Sequence, residues 1–144
     1  MKKCAIALLV LCVAASCAEA GSYLGIEPGV SLYEDVQTVF GEPENAAISD
    51  TMCDVYTFNG KKHDCEQVVV YCYRPSEIVE RIDIYPNETY ALEQYQEWFG
   101  IEDPFSVAFD TEGRRIEYYL PQCVALYFET MEKTSSIRFF SHFD

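Results

Sequence analysis

Hydrophobic positions recur along the chain first at helical and then at strand spacing, and that order occurs twice. Leu32, Val36, Val39 and Phe40 fall on one helical face, as do Leu92, Tyr95, Trp98 and Phe99. The two stretches align without a gap, Glu34 on Glu93, Gln37 on Gln96, Phe40 on Phe99 and Gly41 on Gly100. Ser31 followed by Glu34 reads as a capping box for the first helix, and Asn87 as the cap of the second. Gly41 and Gly100 suit helix ends, and Pro43 and Pro104 prevent continuation.

Period-two alternation follows each helix. In Asp54–Phe58, Tyr56 and Phe58 share a face. In Glu66–Tyr73, Val68, Val70 and Cys72 oppose Val69, Tyr71 and Tyr73. In Val79–Tyr85, Ile82 and Ile84 oppose Arg81, Asp83 and Tyr85. The later strands are Arg115–Leu120, Cys123–Phe128 and Ser136–Phe140. Their inward parity collects Ile116, Tyr118, Leu120, Val124, Leu126, Phe128, Ile137 and Phe139, and their outward parity Glu117, Tyr119, Tyr127, Arg138 and Phe140. Asn59-Gly60 and Arg74-Pro75-Ser76 are turns, and residues 44–53 read as loop. The expected fold class is α+β: a tandem helix-plus-antiparallel-sheet repeat, about 24–86 and 87–144, with the helices on one face of a single curved sheet.

The first twenty residues are targeting rather than fold. Met1-Lys2-Lys3 is a basic start, Cys4 to Ala15 is apolar, and two processing readings follow. Ala18-Glu19-Ala20 suits cleavage before Gly21. Ala14-Ala15-Ser16-Cys17 resembles a bacterial lipobox that would end the signal at residue 16 and lipidate Cys17. Either places the protein outside the cytoplasm, in a bacterial periplasm, as an outer-membrane lipoprotein, or secreted. Residues 21–144 are the length of one domain.

Charge narrows the partners. The chain carries −14, and without residues 1–20 it has 8 basic against 23 acidic residues, or −15. Such a surface repels phosphate backbones and anionic headgroups, so nucleic acid is not expected and membrane contact is limited to the lipid of the second reading. A protein partner with a basic patch is the natural complement.

The outward sheet positions concentrate the residue types that dominate interfaces: Tyr71, Tyr73, Tyr85, Tyr119, Tyr127 and Phe140, with Arg81 and Arg138. Cys53, Cys65, Cys72 and Cys123 are an even set of disulfide candidates; Cys53–Cys72 and Cys53–Cys65 compete, and Cys72 as a buried free thiol is a third reading. His63-Asp64-Cys65 are three consecutive turn residues and do not converge on one ion. No catalytic, cofactor-binding or metal site is expected.

Gly25-Ile26-Glu27-Pro28-Gly29-Val30-Ser31, then Val36 and Phe40-Gly41-Glu42-Pro43, resembles the signature of SmpA/OmlA (BamE-like) lipoprotein domains. The doubled form resembles the β-lactamase inhibitor protein (BLIP-like) fold. That resemblance implies a non-enzymatic scaffold or inhibitor that docks a protein on its sheet. The alternative is a small envelope hydrolase or ligand-binding lipoprotein with a pocket between helices and sheet.

Overall fold

The computed structural model describes residues 21–49, 52–119, 122–129 and 134–141. Cys17 and both processing readings lie outside the described residues, as does His142. Helices α1 (Tyr33–Phe40) and α2 (Leu92–Phe99) accompany eight strands: β1 (Asn45–Ile48), β2 (Cys53–Asn59), β3 (Cys65–Tyr73), β4 (Val79–Pro86), β5 (Ser106–Phe109), β6 (Arg115–Tyr119), β7 (Val124–Phe128) and β8 (Thr134–Phe140). All eight form one antiparallel sheet in the order β1-β2-β3-β4-β8-β7-β6-β5.

This corrects the expected tandem helix-plus-sheet repeat. The framework is one eight-stranded sheet, and each helix is only eight residues long. The middle of the sheet is stitched by β4 against β8, Ile82 facing Phe139 and Ile84 facing Ile137. A single core therefore runs from Phe58, Val68 and Val70 through Ile82 to Phe139, Leu126 and Val124. Burying each of these side chains stabilises the fold by roughly 1.5–3 kcal/mol. β1 and β5 come from stretches outside the expected strands. They are sheet edges, open to solvent on both faces, so no core-facing alternation marks them in the sequence.

Helix ends also differ from expectation. Leu32, not Ser31, occupies the cap position of α1, and the Asp35 carboxylate accepts its N–H at 2.8 Å. Ser31 is occupied elsewhere, its Oγ accepting the Glu27 N–H at 2.9 Å. The segment before α1 is sewn to β4: Gly29 N–H donates to the Val79 carbonyl at 2.7 Å, and Val79 N–H to that of Ser31 at 2.8 Å. α2 begins after Ala91 rather than at Asn87. Val36 and Tyr95 are the fully buried helix residues. Tyr33 anchors α1 by stacking on Tyr56, ring centroids 4.0 Å apart. Leu32 and Trp98, both expected on the core faces, are exposed.

The four cysteines are buried thiols rather than halves of disulfides, which corrects the expected bridges. Cys53 faces Tyr73 across the β2–β3 pair, whereas Cys65 lies at the far end of that hairpin, out of reach. Cys72 stands one register step from Cys53, but alternation turns it to the core face and Cys53 to the other. The Cys53 Sγ lies 3.9 Å from the Glu80 carboxylate. Cys65 packs so tightly on Gly60 that a Cβ there would collide with its sulfur and carbonyl, so this turn needs glycine for space.

Burial raises the thiols of Cys65, Cys72 and Cys123, Cys72 from 9.0 to about 12. Above pH 9 the unfolded chain releases protons that the folded chain retains, so this contribution is intact below pH 9 and is lost as pH rises toward 12. Thermal melts of the mature protein should therefore fall steadily above about pH 9. In parallel, a thiol reagent at pH 8 should label these positions only after unfolding in denaturant. Rapid labelling of the native protein, or no thiols at all after unfolding, would refute the assignment.

Candidate docking face of the sheet

Strand alternation divides the sheet into a face under the helices and a face turned away from them. Cross-strand register builds the second into rows. One row runs Val55, Tyr71, Arg81, Phe140; the next runs Thr57, Val69, Asp83, Arg138, Ala125, Tyr118. Asp83 and Arg138 thus stand directly opposite each other on the two central strands.

They form a two-point ion pair, Arg138 Nε to Asp83 Oδ1 at 2.7 Å and Arg138 Nη2 to Oδ2 at 2.9 Å. Arg81 approaches the same carboxylate at 3.9 Å. Each arginine also covers an aromatic ring: Arg81 lies 3.8 Å from the Tyr71 centroid, and Arg138 lies 5.0 Å from that of Tyr127. The result is a strip Tyr71–Arg81–Asp83–Arg138–Tyr127 across the middle of the molecule. Burial disfavours the Arg138 charge, but the Asp83 carboxylate outweighs it and holds the guanidinium above its ordinary value. Burial also raises the Tyr85 and Tyr127 phenols, against the opposing pull of Arg138. This strip is charged, fixed and aromatic. Only Asp83 among its polar groups is buried; Arg81 and Arg138 remain partly open, and Tyr73 and Tyr85 are exposed.

Of the expected docking residues, Tyr71, Tyr73, Arg81, Tyr85, Tyr127, Arg138 and Phe140 share this face. Tyr119 does not. It is 1% exposed in the core, because β6 adopts the opposite phase: Glu117 pairs with Leu126 and Tyr119 with Val124. The buried Glu117 makes this phase affordable by accepting the Tyr119 hydroxyl at 2.5 Å and facing Arg115 Nε at 3.4 Å. Arg115 in turn lies over Phe128, 4.2 Å from its centroid. Burial, then the Glu117 contact, raises the Tyr119 phenol. Ile116 and Tyr118, assigned inward from the sequence, belong to the docking face instead. The paired aromatics Tyr118-Tyr119 leave the phase of this strand ambiguous, and only partner register resolves it.

A cavity of about 250 Å³ opens on this face beside the strip, lined by Asp83, Tyr85, Ile116, Tyr127, Ser136 and Arg138 among others. Elsewhere, the His63 ring packs edge-on against Phe40 at 5.1 Å, and the Cys65 sulfur lies 3.5 Å from the Gly60 carbonyl. Among the described residues no three histidine, cysteine or carboxylate side chains are grouped as metal ligands.

No protein-family model matches the chain, and no curated protein matches it in sequence. Solved structures do match in shape. YjgB, a DUF4309 family protein from Bacillus subtilis, aligns at TM-score 0.60 and 15% identity over 88% of this chain and 91% of its own. A cysteine-rich secretory protein, SAV1118, from Staphylococcus aureus aligns at TM-score 0.53 and 14% identity over 85% of this chain. An extracellular SCP-domain protein from Bacillus anthracis aligns at 0.50 and 10% over 83%. The chain spans just under half of those two, 46% and 47%. The shared property is therefore the fold, one that occurs in proteins described as secretory or extracellular.

Proposed function

We propose that this chain is an exported, non-enzymatic protein-binding module of the bacterial cell envelope, periplasmic or lipid-anchored, that docks a partner on the helix-free sheet face. The observation that carries this reading is the strip Tyr71–Arg81–Asp83–Arg138–Tyr127, ordered by ion pairing and ring contacts and bordered by exposed tyrosines. Prearranged aromatic and arginine side chains lose little freedom on binding, which favours them as anchors. The names of the secretory and extracellular neighbours and the N-terminal targeting pattern support export. The likeness of Gly25–Pro43 to the BamE-like signature is the sequence feature behind a scaffold role, with an inhibitor role kept as the second form of the same reading. Because Asp83 and Glu80 together offset the charges of Arg138 and Arg81 and the mature chain carries −15, a partner with basic residues around an apolar centre is the best complement. The hydrolase or ligand-pocket alternative draws less support, since the 250 Å³ cavity lies on the helix-free face, with Asp83, Arg138 and Tyr127 of the strip in its wall, rather than between helices and sheet.

The test is cross-linked affinity capture of the tagged protein from its own cell envelope, alongside the Tyr71→Ala/Tyr127→Ala variant. The expected result is one or a few protein partners retained by the native chain and lost from the variant, whose circular dichroism is unchanged. Recovery of β-barrel assembly proteins would favour a scaffold, and recovery of one abundant hydrolase an inhibitor. Equal capture by both forms would count against the face.

A further inference from the structure

The open edge of β5 differs from the docking face in both chemistry and position. Residues Ser106 and Ala108 stand opposite Tyr118 and Ile116, and Asp110 N–H donates to the Arg114 carbonyl at 3.0 Å. That register turns the N–H and C=O groups of alternate residues 106, 108 and 110 toward β6, so those of Val107 and Phe109 point off the sheet. Among the described residues no strand pairs with this edge. Its side chains are apolar and open: Phe105 is 69% exposed, Val107 48% and Phe109 67%. Natural edges are normally blunted by shortness, lysine, proline or a bulge; Ser106–Phe109 is short, at four residues, and the Phe105 N–H is held by the Tyr118 carbonyl at its start, but the strand carries no lysine or proline. The opposite edge, β1, offers mainly alanine and a single exposed Ile48.

One end of this edge is acidic. A hollow of about 380 Å³ lies there between Gly100, Glu102, Asp103, Phe105 and Gln122. Gly100 ends α2, so the negative end of that helix adds to the two exposed carboxylates. The geometry points to strand addition: an extended segment of another protein pairs with Val107 and Phe109, lays alternate apolar side chains on Phe105 and Phe109, and places a lysine or arginine in the hollow. Antiparallel addition, which continues the pattern of the sheet, puts that basic residue at the C-terminal end of the incoming segment. A second copy of this chain is the poorer occupant, because each mature copy carries −15.

A random peptide library displayed on phage and selected against the intact mature protein tests this. Enriched peptides should alternate apolar residues and end in lysine or arginine. Their affinity should fall about tenfold in Val107→Pro, which removes an outward N–H while sparing the bonds to β6. The variant Glu102→Lys/Asp103→Lys, altered only in an exposed loop, should weaken them too and shift selection toward acidic ends. Tyr71→Ala/Tyr127→Ala should bind them unchanged, which separates this edge from the docking face. Failure to enrich such peptides, or equal binding by both edge variants, would overturn the proposal. So would a concentration-dependent dimer in sedimentation that Val107→Pro abolishes, since the edge would then belong to a second copy.

Discussion

Truncating Phe139 to alanine should destabilise the protein by about 3–5 kcal/mol, the range for losing a large buried aromatic. Phe139 is 1% exposed and sits where the sheet is stitched together, opposite Ile82 on β4 and Val124 on β7. Its ring lies 5.6 Å from Tyr23 and 5.5 Å from Phe99, so it also holds the N-terminal segment and α2 against the sheet. Few neighbours can collapse into the space because each belongs to a different element. Urea unfolding of the mature protein followed by tyrosine and tryptophan fluorescence measures the loss. Phe99→Ala should cost less, because Phe99 is only partly buried. A Phe139→Ala loss below about 1 kcal/mol would contradict a continuous core across β4 and β8.

The second large effect is expected at the central ion pair. Asp83→Ala leaves the Arg138 guanidinium against Tyr127 without its carboxylate, and removing one partner of a buried pair costs about 3–5 kcal/mol. Arg138 keeps 28% of its side chain in solvent, so the lower end of that range, about 3 kcal/mol, applies. Replacing both partners, as Asp83→Leu/Arg138→Met, should recover most of the stability, because two apolar groups of similar size satisfy each other. The double variant should nevertheless fail to capture the partner retained by the native protein. Recovery of stability together with undiminished capture would reduce the pair to a structural fastening and remove it from the docking surface.

Much of that surface was legible before any fold was known. Alternation alone put Tyr71, Tyr73, Arg81, Tyr85, Tyr127, Arg138 and Phe140 on one side, because their intervening neighbours are valine, isoleucine, leucine, phenylalanine and Cys72, with no second way to be buried. In β6 alternation pointed the wrong way. Arg115, Glu117 and Tyr119 look like a solvent face, yet Glu117 and Tyr119 bury together because the Tyr119 hydroxyl bonds the carboxylate, with the half-buried Arg115 ion-paired beside it, and no periodicity records a mutual contact. The edge strands escaped for the opposite reason, since a strand that buries neither face leaves no pattern.

The cysteines illustrate the same division. Their even number suggested bridges, but connectivity depends on which strand ends meet and on which face each thiol emerges. Register separates Cys53 from Cys65 along a hairpin and from Cys72 across the sheet.

By itself, then, the sequence determined the local outcomes: the two helical stretches, six of the eight strands, the acidic charge and the targeting pattern. These depend on near neighbours and on side-chain type. Tertiary structure alone decided the strand order of the sheet, with β4 against β8 at its centre and β1 and β5 at its edges, which side of β6 is core, and which backbone edge stays open. Those depend on pairing between residues far apart in the chain, such as Asp83 with Arg138, where one register step moves every side chain to the other face.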